Sequence, residues 1–351
     1  MALVHAVLNG FSSGNIMMDP ENIEDNHGGG CRTAFLSLVK ELPKYGHKVR
    51  AFSTFTKMAN VGGIDYHPID ELTWYGNPQV MWACYDTRPL SQFSGCLRIG
   101  SHHTLKIEAV WPQIDINTVP TKWALDRMKA WYSPHGDWRI LPNAIGPVPE
   151  WNPVPGRVIY HTSADRGLHK LLEAWPAIKA VVPHATLHII SKWEQWTKDI
   201  LAWRGIENSE TAKRARQLLD NFERAKSVGG VVSMFNLPRH QLERELSEAS
   251  VFAFPCTLLA PCETFSASIM ECCKIGVPVV LAPADALESI YSGSVVLCQP
   301  PVEEHLNEFI NRVLAILQDQ DMALHYSALG KKLAETFTYE RSGKILSDMM
   351  P

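Results

Sequence analysis

The sequence predicts an α/β protein of two Rossmann-like, doubly wound domains. Three observations carry this. The chain has 351 residues, too long for one ordinary domain. Short apolar runs alternate with amphipathic helical runs, stop, and start again. A proline-rich break separates the two series. Hydrophobic residues make up 46% of the chain, enough for a core in each half. The expected organisation is a domain over 1–150, a second over 151–330, and a C-terminal helix over 331–351 that returns to the first.

In the first half, strands are expected near residues 2–8, 48–54, 79–84, 97–101, 114–119 and 138–142. The helix over 31–45 is the clearest. Ala34, Phe35, Leu38, Val39 and Leu42 fall at helical spacing, and Gly46 stops it. The stretch "PNAIGPVPEWNPVPG", residues 142–156, holds five prolines and two glycines and reads as the linker. The alternation then restarts. "RVIYHTS" (157–163) is a strand, and "RGLHKLLEAWPAI" is a helix with Leu168, Leu171, Leu172 and Trp175 on one face. Further strands fall at 185–191, 229–235, 251–255, 277–282 and 293–298. Residues 194–226 are charged and helical, an insertion between two strands, and the chain ends in helices.

Composition excludes several function classes. The net charge is −4 and no Lys/Arg-rich run appears, which argues against nucleic acid. The opening "MALVHAVL" lacks a basic flank and a cleavage site, so it reads as a first strand and not a signal peptide. No run of eighteen or more apolar residues is present. None of the eight cysteines forms a Cys-x-x-Cys pair; reduced, mostly buried thiols of a cytoplasmic protein are expected. Most of the eleven tryptophans are expected in the cores or the hinge, one or two being free to stack on a sugar.

In doubly wound sheets, ligands sit beyond the carboxyl ends of the strands and against helix N-termini. Two such domains on a hinge imply a cleft, so the chemistry is sought in loops that leave strands and open helices. Four stretches qualify. In "CETFSASIMECC", Glu263 falls in the loop entering a helix, with Thr264 or Ser266 as N-cap. The backbone N–H groups near Phe265 and Ser266 are then expected to point outward as an anion site suited to a diphosphate. Eight residues of helix rise about 12 Å, so Glu263 can meet a hexose while Glu271 meets ribose hydroxyls. The plainer reading, helix-start charges favoured by the macrodipole, competes with this.

In "YHTSADRGLHK", Arg166 stands at a helix entrance and can neutralise a departing diphosphate, with Gly167 letting the backbone approach a ligand. A surface Arg paired with Asp165 is the alternative. Gly28, Gly29 and Gly30 precede the first long helix, where glycines admit a phosphate or sugar; the alternative is a flexible loop. His102 and His103 end a strand and can hydrogen-bond a sugar or phosphate, although a lone His is more often structural, and no third ligand stands at zinc spacing. Asp319-Gln320-Asp321 reads as a solvated helix end, and Cys272-Cys273 as core. No dinucleotide fingerprint is present, which sets aside a dehydrogenase reading.

Taken in order, these pieces resemble the retaining glycosyltransferases of family 4, which have the GT-B fold. The likeness lies in the glycine-rich loop before the first helix, "YGHKVRAF", the His near the middle of the first domain, and Pro142-Asn143-Ala144-Ile145 before the hinge. It continues with Arg166-Gly167, the Glu-x7-Glu spacing of Glu263 and Glu271, and "GVPVV" after it. Ser163 stands where the family often has an Arg, Ala144 replaces a Gly, and His103 replaces the Asp that often follows the His. The resemblance implies two Rossmann-like domains facing a cleft, the N-terminal one for the acceptor and the C-terminal one for the donor. It implies hexose transfer from a nucleoside diphosphate sugar, UDP or GDP type, to a glycan or other hydroxyl acceptor, with retention and without a metal or other cofactor. Glu263 and His102 would position the hexose. Arg166, Thr264, Phe265 and Ser266 would hold the diphosphate beneath the glycine loop, and Glu271 the ribose. The base would lie near Phe235-Asn236-Leu237. A nucleotide-sugar epimerase, a phosphorylase, or a non-catalytic sugar-binding subunit of the same fold remain the alternatives. Peripheral membrane contact and the oligomeric state are left open.

Overall fold

The computed structural model describes residues 1–9, 17–25, 30–105, 113–132, 136–235 and 237–351. Gly28, Gly29 and Asn236 lie outside them. The chain divides into two units, Met1–Gly146 with Thr336–Pro351, and Pro147–Glu335. Each holds a largely parallel sheet flanked by helices.

In the first unit the strands are β1 (Leu3–Asn9), β2 (Lys48–Ser53), β3 (Ala59–Val61), β4 (Ile64–Pro68), β5 (Val80–Tyr85), β6 (Leu97–Ser101), β7 (Ile116–Val119) and β8 (Trp138–Ile140). Their order is β3-β4-β2-β1-β5-β6-β7-β8, parallel except for β3 against β4. The central β1 is buried on both faces, which is why "LVHAVLN" reads as a nearly continuous apolar run. Helix α1 (Gly30–Glu41) buries Ala34, Phe35, Leu38 and Val39, and α2 (Lys122–Trp131) falls between β7 and β8 in the chain. It passes into a 3-10 turn that ends at Gly46 (φ +87°), whose N–H donates to the Leu42 and Pro43 carbonyls, a left-handed cap that glycine adopts without strain. The sequence reading missed β3 and β4. Their turn is Gly62-Gly63, both at positive φ, the two-residue hairpin signal.

In the second unit the strands are β9 (Arg157–Tyr160), β10 (Thr186–Ile190), β11 (Val231–Met234), β12 (Val251–Pro255), β13 (Val279–Ala282) and β14 (Val296–Leu297), all parallel, in the order β11-β10-β9-β12-β13-β14. The chain winds outward from β9 to β10 and β11, then crosses back to start again at β12. The topological switch point therefore lies between β9 and β12. Helix α3 (Leu168–Val181) buries Leu168, Leu171, Leu172 and Trp175 completely, as its spacing predicts, and continues through Pro176. The charged insertion forms two helices, α4 (Trp193–Ala202) and α5 (Glu210–Ser227). Helices α6 (Arg239–Ser247), α7 (Ala267–Ile275), α8 (Leu287–Tyr291), α9 (Leu306–Gln318) and α10 (Gln320–Ala334) complete the unit. Asp319 caps α10 by accepting from the Met322 N–H, and Cys272 and Cys273 are buried on α7.

Helix α10 packs on α7, with Gly330 against Cys273, so the second unit runs on to Glu335. The last helix, α11 (Tyr339–Ser347), packs on α1 of the first unit and puts Leu346 into its core. Among the described residues no helix is long and apolar enough to cross a membrane. All eight cysteines are free thiols.

Candidate active site

The loops at the switch point bring together two residues that the sequence separates widely. Arg166 leaves the end of β9, and Glu263 precedes α7. The Arg166 Nε lies 3.4 Å from Glu263 Oε2. Its Nη1 donates to Cys262 Sγ at 2.8 Å and lies 3.4 Å from Asp165 Oδ2. The surface pair with Asp165 is thus present, but it is one contact of a guanidinium that also faces Glu263.

Gly167 has a different task from the one its sequence position predicts. It sits at φ +102°, and a Cβ there would fall 1.8 Å from the Pro255 carbonyl oxygen. What approaches this backbone is the end of β12, not a ligand.

Glu263 is largely buried, 14% exposed, and is held at both ends. Its backbone N–H and that of Cys262 donate to Asp285 Oδ2, at 3.0 and 2.7 Å. Its carboxylate accepts the Phe265 and Ser266 N–H groups. The helix-terminal donors expected to point outward are therefore turned onto Glu263 itself, because its buried carboxylate, two to three residues upstream, is the nearest anion. Burial raises the Glu263 carboxyl above its usual range; Arg166 and the two N–H groups oppose this, and Asp285 adds to it. Ser266 occupies the N-cap position with no side-chain cap bond, at φ 63° and ψ 91°, a backbone conformation costly for a residue with a Cβ. The buried Tyr291 hydroxyl holds it there by donating to the Phe265 and Ser266 carbonyls, at 2.8 and 2.9 Å. Thr264 is buried beside it.

The helix covers only part of the interval between the two glutamates: α7 begins at Ala267, and Glu263 to Ser266 form an irregular loop. Glu271 lies in the second turn, 10% exposed, with Oε1 accepting from Arg239 Nη1 at 2.6 Å. Arg239 opens α6 and also donates to Glu243 at 2.7 Å. Sequence reasoning missed Arg239, Asp285 and Tyr291. The Arg239–Glu243 spacing of one helical turn was a visible signal for the first; nothing local marks the other two. Phe235, after β11, is 65% exposed.

In the first unit, His102 and His103 follow β6. His102 turns inward, 3% exposed, with Nε2 2.9 Å from Asn117 Oδ1 and its ring against Trp138. His103 Nε2 lies 3.1 Å from Cys84 Sγ, and its ring also bonds Asn143 of the "PNA" stretch. Burial holds both imidazoles at about 4, hence neutral. The cavity beside them measures ≈ 10 Å³, about one water and too small for a sugar. Gly30, the described member of the glycine run, is exposed at the start of α1. Among the described residues no group of three or more His, Cys, Asp or Glu is placed to hold a metal.

The chain that carries this arrangement is similar to known proteins. Residues 155–319, which contain Arg166, Arg239, Glu263, Glu271 and Asp285, match the family Glycosyl transferases group 1. A sucrose-phosphate synthase from Thermosynechococcus elongatus superposes with a TM-score of 0.71 at 14% identity, over 99% of this chain and 98% of its own. WaaG, a glycosyltransferase involved in lipopolysaccharide biosynthesis, gives 0.64 at 11% over 99% of both chains. AviGT4, a glycosyltransferase involved in avilamycin A biosynthesis, gives 0.63 at 13%, over 99% of this chain and 96% of its own. Curated protein sequences give no match. The fold is GT-B. With the family match over the second unit, the class of the protein is a glycosyltransferase.

Proposed function

We propose that the chain transfers a hexose from a nucleoside diphosphate sugar of the UDP or GDP type to a hydroxyl acceptor. The reading includes retention at the anomeric carbon and no metal requirement, in the manner of the family 4 enzymes. The observation that carries it is the 3.4 Å approach of Arg166 to Glu263 at the switch point. Breaking a glycosyl–phosphate bond leaves charge on the diphosphate, and a preplaced guanidinium beside a helix N-terminus stabilises that charge where it develops. In this reading the donor enters the second unit and the Phe265 and Ser266 N–H groups exchange the Glu263 carboxylate for the diphosphate. Glu263, released, accepts hydroxyls of the hexose. Glu271, oriented by Arg239, accepts the ribose hydroxyls, and the exposed Phe235 ring offers a face to the base. The departing phosphate takes the acceptor proton on the face it leaves, which gives retention. Acceptor recognition is assigned to the first unit. The reading does not require His102.

A thermal-shift screen with UDP, GDP, ADP and their sugars tests the donor side. Ligand at 100 times its dissociation constant adds about 2.7 kcal/mol. Transfer is then followed with and without a chelator, and the product anomer is read by NMR. Arg166→Ala is expected to cut turnover by at least about 100-fold in a folded protein. Wild-type turnover in that variant, or donor binding with no transfer to any acceptor, would overturn the reading.

A further inference from the structure

Strands β9 and β12 are paired only over Val158↔Val251 and Ile159↔Phe252. Beyond these registers no sheet hydrogen bond joins the loop that carries Arg166 to the chain leading to Glu263. The loops still have to be held at a fixed distance, because a displacement of about 1 Å at a reacting group can cost 100-fold in rate. One tie is the packing of Gly167 on Pro255.

A second comes from the charged insertion. On α5, Arg214, Leu218, Asn221 and Ala225 fall at helical spacing, on the face turned to α3. Leu218 and Ala225 are fully buried, and Asn221 Nδ2 donates to the His169 carbonyl at 2.9 Å in the first turn of α3. Arg214 is half-buried, and its Nη1 donates at 3.2 Å to two carbonyls, those of Asp165 and Thr257. Asp165 immediately precedes Arg166, and Thr257 stands two residues beyond the end of β12.

We propose that Arg214 is a positioning residue for glycosyl transfer: it ties the loop after β9 to the loop after β12 and thereby sets the Arg166–Glu263 separation. Arginine suits the task, since its planar guanidinium presents several donors in fixed directions, while a lysine ammonium is a point charge on a mobile stem. The charge is kept in place by Glu303 and Asp165, whose fields oppose the cost of burying it. The insertion, which has no part in the chemistry itself, thus acquires a role in it.

The inference rests on the proposed function, and the test separates the two. Donor KM and kcat are measured for wild type, Arg214→Ala and Arg214→Lys, each with its folded fraction determined. Arg214→Ala is expected to raise donor KM about ten- to hundredfold in protein that still unfolds cooperatively, with guanidinium chloride at low concentration lowering it again. Arg214→Lys is expected to fall between. A residue that only supports the fold would lower kcat in proportion to the folded fraction and leave KM alone; that result overturns the proposal. Should Arg214→Ala fail to fold, Arg214→Lys decides: a raised KM supports the tie, a wild-type KM removes it. If the wild type itself turns over no nucleotide sugar, the functional reading fails. The tie is then read by hydrogen exchange at the Arg166 amide in Arg214→Lys, where faster exchange supports it and unchanged exchange overturns it.

Discussion

Replacing Gly167 by Ala tests the site where its geometry is tightest. Two separable costs attach to the change. The first is conformational: φ is +102°, and a non-glycine residue there costs about 1–2 kcal/mol. The second is steric. The added Cβ would lie 1.8 Å from the Pro255 oxygen and 2.9 Å from its carbonyl carbon, and both are backbone atoms that no rotamer change can move. The loop has to retreat by more than about 1 Å, and overpacking of this kind costs about 1–3 kcal/mol more. The total is about 2–5 kcal/mol.

Gly205→Ala supplies the control, since Gly205 has φ +88° and nothing within 4 Å of the added atom. It is expected to lose only about 1–2 kcal/mol. Urea unfolding of the two variants measures the difference, and calorimetric titration of the donor nucleotide measures its consequence. Gly167→Ala is expected to weaken donor binding because the retreat carries Arg166 away from Glu263, whereas Gly205→Ala is not. Equal losses of stability in the two, or an unchanged donor affinity in Gly167→Ala, would refute the reasoning.

Three further outcomes are expected. Glu263→Gln keeps the shape of the buried side chain and removes its charge. Burial raises the carboxyl's folded pKa, so its ionisation costs stability as pH rises through that value. The variant is therefore expected to be as stable as wild type or more so at pH 8, while transfer falls by at least about 100-fold; a matched loss of stability and activity would count against it. Tyr291→Phe removes the hydroxyl that holds the Phe265 and Ser266 carbonyls, and is expected to cost about 1–2 kcal/mol and to raise donor KM, read by urea unfolding and initial rates. Finally, burial holds His5, His102 and His103 at about 4 and His169 at about 3, against the usual 6.5. The unfolded chain takes up these protons first, so stability is complete above about pH 6.5 and is lost as pH falls toward 4. The loss is about 2 kcal/mol per histidine by pH 5. Urea midpoints that stay flat from pH 7.5 to 5 would contradict this, and His5→Leu should flatten the slope by one proton.

The fold class and the order of the loops were legible because they rest on local periodicity. Leu168, Leu171, Leu172 and Trp175 mark one face of α3 wherever the helix goes, and an apolar run such as "VFAFP" is a buried strand in any parallel sheet. The hairpin of β3 and β4 was legible too, in Gly62-Gly63 between short β-like runs, although the expected strands do not include it. The placement of Arg166, Glu263 and Glu271 after strands and at helix starts followed from the same local pattern.

What the local pattern does not contain is strand order. Arg166 contacts Cys262 from 96 positions away because β9 lies beside β12, a choice made by the crossover from β11 and by the packing of both sheet faces. That choice also decided that the Phe265 and Ser266 amides turn onto Glu263, that Asp285 grips its backbone, that Arg239 holds Glu271, and that Gly167 meets the end of β12. Sequence by itself therefore determined which side chains arrive at the carboxyl ends of the strands, since periodicity acts over a few residues. Tertiary structure alone decided which partners they meet there, since those contacts form only when distant strands become neighbours.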